Sequence, residues 1–76
     1  MDKSNEHFRK VLGGRIRAAR EGQGLSQDQL ARMIGGVSNG AGISRIERGK
    51  AGMQLETLKR IAEALGTTMS SLLSGL

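Results

Sequence analysis

Residues 26–50 read SQDQLARMIGGVSNGAGISRIERGK and set the architecture of this chain. Ser26 directly precedes the segment QDQLARMIG, and Gln29 follows Ser26 by three residues, which is the capping-box pattern at the start of a helix. Four glycines between positions 35 and 42 then indicate an interruption. The stretch predicts two short helices with apolar inner faces at helical spacing, Leu30, Ala31 and Ile34 in the first and Ile43 and Ile46 in the second.

The four glycines limit where the second helix can begin. A helix that started before residue 35 would contain all of them, at a cost of about 4 kcal/mol relative to alanine. A turn over residues 35–38 avoids that cost. Either Asn39 or Ser38 can then cap the helix, because both residue types are favoured at N-caps. With Asn39 as the cap, Gly40, Ala41 and Gly42 form the first helical turn.

The rest of the chain contains three more segments with the helical period. One lies near 7–21 after a polar arm at 1–6, and its pair Gly13–Gly14 costs about 1 kcal/mol per glycine, so packing must stabilise that helix. The others lie near 55–65 and 69–74, and no segment alternates in the manner of a strand. With helices near 27–34 and 40–48, residues 1–76 are predicted to form a single all-α domain of five helices.

The composition restricts the function. The 76 residues include 12 Lys and Arg against 7 Asp and Glu, and the net charge of +5 favours a polyanionic partner such as nucleic acid. The chain has no cysteine and one histidine, His7, which leaves little equipment for metal binding or catalysis. The N-terminus lacks the apolar core of a signal peptide, and no apolar run is long enough to cross a bilayer. We therefore expect a cytoplasmic protein without a membrane partner.

The glycines also invite comparison with the phosphate-binding loops of enzymes. Gly35 and Gly40 have the P-loop spacing, but Ala41 stands where that loop needs a lysine. Gly40 and Gly42 begin a dinucleotide fingerprint, but Arg45 occupies the position of its third glycine. No strand precedes either pattern. The expectation is a protein that is not an enzyme and that binds no cofactor, metal or small-molecule ligand.

A short capped helix, a glycine-bearing turn and an arginine-rich helix form the arrangement that lays a recognition helix in the DNA major groove. Three motifs occur in order, LGGRIRAAREGQGLSQDQLA, ISRIERGK and LETLKRIAEALGTTMSSLL. Over about residues 11–74 they resemble the helix-turn-helix domains of the Cro and phage-repressor type (XRE type). The resemblance implies a five-helix, lambda-repressor-like bundle that binds a palindromic operator in double-stranded DNA as a homodimer and represses transcription.

The resemblance also implies roles for single residues. Gln27 corresponds to a glutamine that contacts a phosphate, and the N-terminus of its helix is an anion-binding position in any case. Arg20 and Glu47 correspond to a partly buried ion pair between the first and third helices. Lys50 would lie beside the DNA backbone, where it positions the protein without recognising sequence.

One departure from the family pattern affects the DNA-facing surface. Between Ala31 and Ile43 the chain has two residues more than the pattern, and Asn39 as the cap keeps Ile43 at the family's distance from the cap. We prefer that register. Gly40 then occupies the position of the usual base-contacting glutamine and has no side chain. Arg45 can bind guanine O6 and N7, and Ala41 can meet a thymine methyl. The candidate DNA-binding residues are Gln27, Asn39, Gly40, Ala41, Ser44, Arg45, Arg48 and Lys50.

The C-terminal segment MSSLLSGL carries more apolar residues than a small core needs. A homodimer interface formed by Met69, Leu72, Leu73 and Leu76 is the interpretation we favour. An alternative function from a different class is an antitoxin-like protein-interaction module whose main partner is another polypeptide.

Overall fold

The computed structural model describes residues 3–35 and 39–76, and within these ranges the chain is helical and forms no strand. The helices are α1 (Lys3–Gly22), α2 (Gln27–Ile34), α3 (Gly40–Glu47), α4 (Leu55–Ala64) and α5 (Met69–Leu73). The predicted all-α fold class is therefore confirmed. None of these helices is both long enough and apolar enough to cross a membrane.

Helix α1 begins earlier than the sequence pattern predicts. Residues 3–6 were expected in an arm, but they form its first turn, so that prediction is wrong for them. Positions 1 and 2 of the predicted arm lie outside the described residues. No glycine or proline interrupts residues 3–6, and Glu6 lies in the first turn, where a carboxylate interacts favourably with the helix dipole. Once the apolar stripe of α1 is packed, extending the helix costs little.

Side-chain caps define the starts of α2 and α3. Ser26 Oγ accepts from the Gln29 amide at 3.0 Å, and Gln29 Oε1 accepts from the Ser26 amide at 2.8 Å, which completes the predicted capping box. Asn39 Oδ1 accepts from the Gly42 amide at 2.8 Å, so α3 has the register with Asn39 as its cap. Gly35 ends α2 with φ +67°. The remainder of the predicted turn, with the alternative cap Ser38, lies outside the described residues.

The core is entirely aliphatic and draws on every helix. Ile16, Leu30, Ile43 and Ile61 are fully buried, and one comes from each of α1 to α4. Ile43 therefore fixes the inner face of α3 at the centre of the bundle. The buried cluster consists of Leu12, Ile16, Leu30, Ala31, Ile34, Ile43, Ile46, Leu58, Ile61, Ala62, Leu65 and Leu72.

Gly13 lets α1 lie directly against the backbone of α3. A Cβ atom at position 13 would be 2.6 Å from the carbonyl oxygen of Glu47 and closer still to that of Ile46, so the site accepts only glycine. The next residue, Gly14, faces open space. Gly49, with φ +72°, makes a second close approach to α1 just after α3. The packing that the Gly13–Gly14 pair requires is therefore a backbone contact at Gly13.

The C-terminal helix belongs to the core more than its apolar content suggests. Leu72 is only 4% exposed and lies in the buried cluster, so its assignment to a dimer interface is wrong. Met69 and Leu73 are partly buried against the same cluster, while Leu76 is 42% exposed. Arg15 of α1 donates to the carbonyl oxygens of Leu72, at 3.2 Å, and Ser74, and so holds the end of α5 on α1.

Candidate nucleic-acid interface

The two sides of α3 differ sharply in exposure. Its inner side chains, Ile43, Ile46 and Glu47, are buried. Its other side carries the exposed residues Ala41 and Arg45, with Arg48 exposed at the C-cap and Ser44 half-buried between them. The structure therefore gathers four of the eight candidate DNA-binding residues on one outward face of α3, above the buried core.

The end of α3 shapes this face. Arg48 Nε approaches the Ser44 carbonyl oxygen at 3.4 Å, a long contact that leaves the guanidinium largely in solvent. The Gly49 and Lys50 amides donate to the carbonyls of Ile46, at 3.0 Å, and Arg45, at 2.9 Å, which satisfies the last turn of the helix. Lys50 is exposed just beyond it.

A buried ion pair connects α1 with α3. Arg20 Nε lies 2.6 Å from Glu47 Oε2, and Arg20 Nη2 lies 3.1 Å from Glu47 Oε1, which is a two-point contact. Arg20 is 8% exposed and Glu47 is 6% exposed. Arg20 Nη1 also donates to the Leu25 carbonyl at 2.7 Å. The hydrogen bond to Glu47 raises the pKa of Arg20 and outweighs burial, which lowers it, with further support from the charges of Glu47 and Glu21.

Gln27 joins this ion pair at the start of α2. Its Nε2 donates to Glu47 Oε1 at 3.1 Å, a protein contact that the sequence did not predict. An amide nitrogen carries two hydrogens, so the second can serve another acceptor such as a phosphate. The Glu47 carboxylate therefore fixes the side chain at the beginning of α2 relative to the end of α3.

The oxygen and the nitrogen of the Asn39 side chain also have separate roles. Its oxygen is used by the Gly42 amide in the cap, while its amide nitrogen is a donor at the exposed start of α3. Among the residues at this end of the interface, Asn39 thus combines a structural acceptor with a donor suited to a phosphate oxygen or a base.

Asp28 is a residue of this surface that the sequence analysis did not single out. It is exposed in the first turn of α2, and its carboxylate lies across Gly40, the first residue of α3. Helical spacing carries no signal for this contact, since it joins residues of two different helices. In the described part of the chain no group of three or more His, Cys, Asp or Glu side chains is placed to hold a metal ion.

A capped helix and the second short capped helix that follows it, with its inner face buried in the bundle, define a helix-turn-helix domain. A family model described as helix-turn-helix matches residues 16–72, which is most of the chain. The chain belongs to this helix-turn-helix family, of the XRE type.

Two described proteins are similar to this chain, one in sequence and one in structure. The chain is 51% identical over 55 residues to the HTH-type transcriptional repressor RghR of Bacillus subtilis (strain 168), a match that covers 71% of this chain and 39% of RghR. The crystal structure of the clp gene regulator ClgR from Corynebacterium glutamicum superposes with a TM-score of 0.81 at 27% identity, over 87% of this chain and 68% of that one. The chain thus spans well under half the length of RghR.

Proposed function

We propose that this protein is a sequence-specific DNA-binding regulator of transcription, acting as a repressor. The observation that carries the proposal is the outward face of α3, where Ala41, Ser44, Arg45 and Arg48 lie opposite a fully buried Ile43. A helix with a buried inner face and with short and cationic side chains outward suits the major groove, which admits one α-helix. The net charge of +5 and the regulator names of two relatives support the same function.

In this proposal the residues divide into two groups by chemistry. Arg45, midway along α3, donates to O6 and N7 of guanine, while Ser44 and Ala41 contact neighbouring base edges. The phosphate contacts come from donors around the helix ends, which fix the protein's register on the duplex without recognising sequence. These donors are Gln27, Asn39, Arg48 and Lys50.

We further propose a homodimer on a palindromic operator. Recognition helices that enter successive major grooves lie about 34 Å apart, whereas one copy of the chain measures 31 × 23 × 20 Å and has one such helix among its described residues. A second copy would supply the second helix. The operator would then consist of two half-sites related by the two-fold axis of the dimer.

An apolar groove offers a surface for that dimer. It lies between α1 and the start of α4, has a volume of about 400 Å³, and is lined by Phe8, Met53, Leu55 and Leu73 among others. Phe8 is 40% exposed and Leu55 is 67% exposed. Contiguous exposed apolar patches, unlike single exposed apolar residues, mark interaction sites. We assign the dimer contact to this groove and to the exposed Leu76, whose amide donates to the Leu73 carbonyl, and not to the buried Leu72.

Selection of binding sites from random duplex DNA, followed by affinity measurements against salt concentration, tests this function. The expected result is an enriched palindrome, with affinity that falls steeply as salt rises because phosphate contacts release counterions. An absence of enrichment over non-specific DNA would overturn the proposal. If the chain instead bound a polypeptide through the Phe8 and Leu55 groove and no duplex, the antitoxin-like alternative would replace it.

A further inference from the structure

At its first position, α3 differs from a helix that contacts bases through its side chains. Gly40 has no side chain, and the space that one would occupy is filled from another helix. A Cβ atom at position 40 would lie 2.9 Å from Cγ of Asp28 and closer to Oδ1. Asp28 is itself exposed. A carboxylate from α2 therefore stands where α3 would otherwise present its first side chain.

A carboxylate on this surface has restricted uses. When ionised it only accepts hydrogen bonds, so phosphates repel it. In the major groove it can accept from the N4 amino group of cytosine or the N6 amino group of adenine, but the N7 acceptor beside adenine N6 repels it, as do guanine O6 and N7 and thymine O4. The chemistry of Asp28 thus matches cytosine and excludes the DNA backbone.

The starts of two helices lie close to the Asp28 carboxylate. Asp28 lies in the first turn of α2 and against the first residue of α3, so the positive ends of two helix dipoles are close to its carboxylate. Gly40 also leaves no bulk between the carboxylate and the start of α3. The carboxylate therefore lies against the start of α3, within reach of the groove that α3 would enter.

From this arrangement we propose that Asp28 is a specificity-determining residue, which reaches across Gly40 and accepts a hydrogen bond from cytosine N4 in each half-site. The inference rests on the proposed DNA-binding function and deepens it. It assigns base recognition to α2 at the position where α3 has lost its side chain. The competing interpretation is that Asp28 only stabilises the start of α2.

The test compares binding sites selected by the full chain and by Asp28→Asn, which keeps the shape of the side chain. We expect the full chain to require cytosine at one position of each half-site, with about 5- to 150-fold weaker binding when guanine replaces it. Asp28→Asn should lose that preference and keep the others, because an amide both donates and accepts. Glu63→Gln makes the same change of charge at an exposed residue of α4 and should leave every base preference unchanged.

Gly40→Ala supplies an independent arm, because its methyl group would displace the Asp28 carboxylate. Alone it should weaken the cytosine preference at the same position. Combined with Asp28→Asn it should add no further loss there, since the two changes act on one contact. Circular dichroism and thermal melting of each variant establish that it is folded before sites are selected.

The outcomes separate two failures. If the unmodified chain selects no motif, the DNA-binding function fails and this inference fails with it. If the unmodified chain selects a motif but Asp28→Asn selects the same bases, only the role of Asp28 is overturned. A uniform gain of affinity for all sequences in Asp28→Asn also overturns it, because Asp28 would then act only by repelling phosphates.

Discussion

Arg20 and Glu47 face each other in the interior with Arg20 Nε 2.6 Å from Glu47 Oε2, and they join the last turn of α1 to the last residue of α3. Glu47→Ala leaves the Arg20 charge buried without its partner, which should lower the free energy of unfolding by about 3–5 kcal/mol. A domain of this size has roughly 4–11 kcal/mol in total. Urea denaturation followed by circular dichroism measures the loss.

An exposed pair in α1 is the matched control. Arg17 and Glu21 are 3.3 Å apart with side chains 62% and 55% exposed, so Glu21→Ala should cost less than about 1 kcal/mol. Replacing both Arg20 and Glu47 by methionine should recover much of the stability lost in Glu47→Ala, because no buried charge remains. Equal losses for Glu47→Ala and Glu21→Ala would show that the buried pair has no special role.

Gly13 and Gly14 should respond in opposite directions to alanine. In Gly13→Ala the new methyl group meets the carbonyl oxygens of Ile46 and Glu47, which are backbone atoms that cannot turn away. We expect a loss of about 1–3 kcal/mol or more. Gly14→Ala adds a methyl group in open space within the same helix and should stabilise the protein by about 0.5–1 kcal/mol. Thermal melting of the two variants decides the matter, and destabilisation of both would contradict the close contact.

Asn39 allows its capping role to be separated from its proposed DNA contact. Asn39→Ala removes the acceptor of the Gly42 amide and should cost about 1 kcal/mol of stability. Asn39→Asp keeps an acceptor of the same capping strength, so stability should be unchanged. Because the aspartate has no donor and adds a negative charge, its affinity for DNA should fall. Melting temperatures and binding titrations on the same samples check both parts, and undiminished affinity in Asn39→Asp would remove Asn39 from the interface.

Arg45→Ala tests the orientation of α3. Loss of a two-point contact to guanine should weaken binding to the selected operator by about 1–3 kcal/mol and relax the preference at one base pair of each half-site. Arg60→Ala removes the same charge from an exposed position on α4 and should weaken all sequences alike and only slightly. Fluorescence anisotropy with matched and substituted operators gives both quantities. Identical behaviour of the two variants would mean that Arg45 does not face a base.

Leu55→Glu tests the proposed dimer surface. Leu55 is 67% exposed in one copy, so the substitution should leave the fold intact while it places a charge in the apolar contact between copies. The dimer should dissociate on the order of tenfold more readily, or more. Met33→Glu makes the same kind of change at a residue 54% exposed on α2 and is the control. Sedimentation equilibrium measures the effect, and an unchanged monomer–dimer equilibrium in Leu55→Glu would exclude this groove.

The local signals in the sequence predicted the helices well because they act over three or four residues. Ser26 with Gln29, and Asn39 with the Gly42 amide, are short-range contacts of that kind. The errors arose where the outcome depends on distant packing. Leu72 and Leu76 look alike in the sequence, yet only the first reaches the core.

The same distinction between short-range signals and distant packing applies to the candidate site. The inner positions of α3, such as Ile43, follow from periodicity, and its exposed positions follow from them. The contact of Asp28 with Gly40 does not follow from periodicity, because it joins two helices that are separated by more residues than in the family pattern. The sequence likewise gives no reason for a glycine at position 13, because the requirement comes from the carbonyl oxygens of α3 that lie against it.

The contact between Gly13 and the backbone of α3 affects how the proposed DNA target of such a protein can change. The tilt of α3 is held by main-chain atoms and by inward side chains, and none of the outward side chains takes part in that contact. Exchanging Ala41 or Arg45 should therefore leave the helix at the same angle while altering what it recognises. Substitutions on the outer surface of α3 can therefore change its contacts while the structure of the helical bundle stays the same.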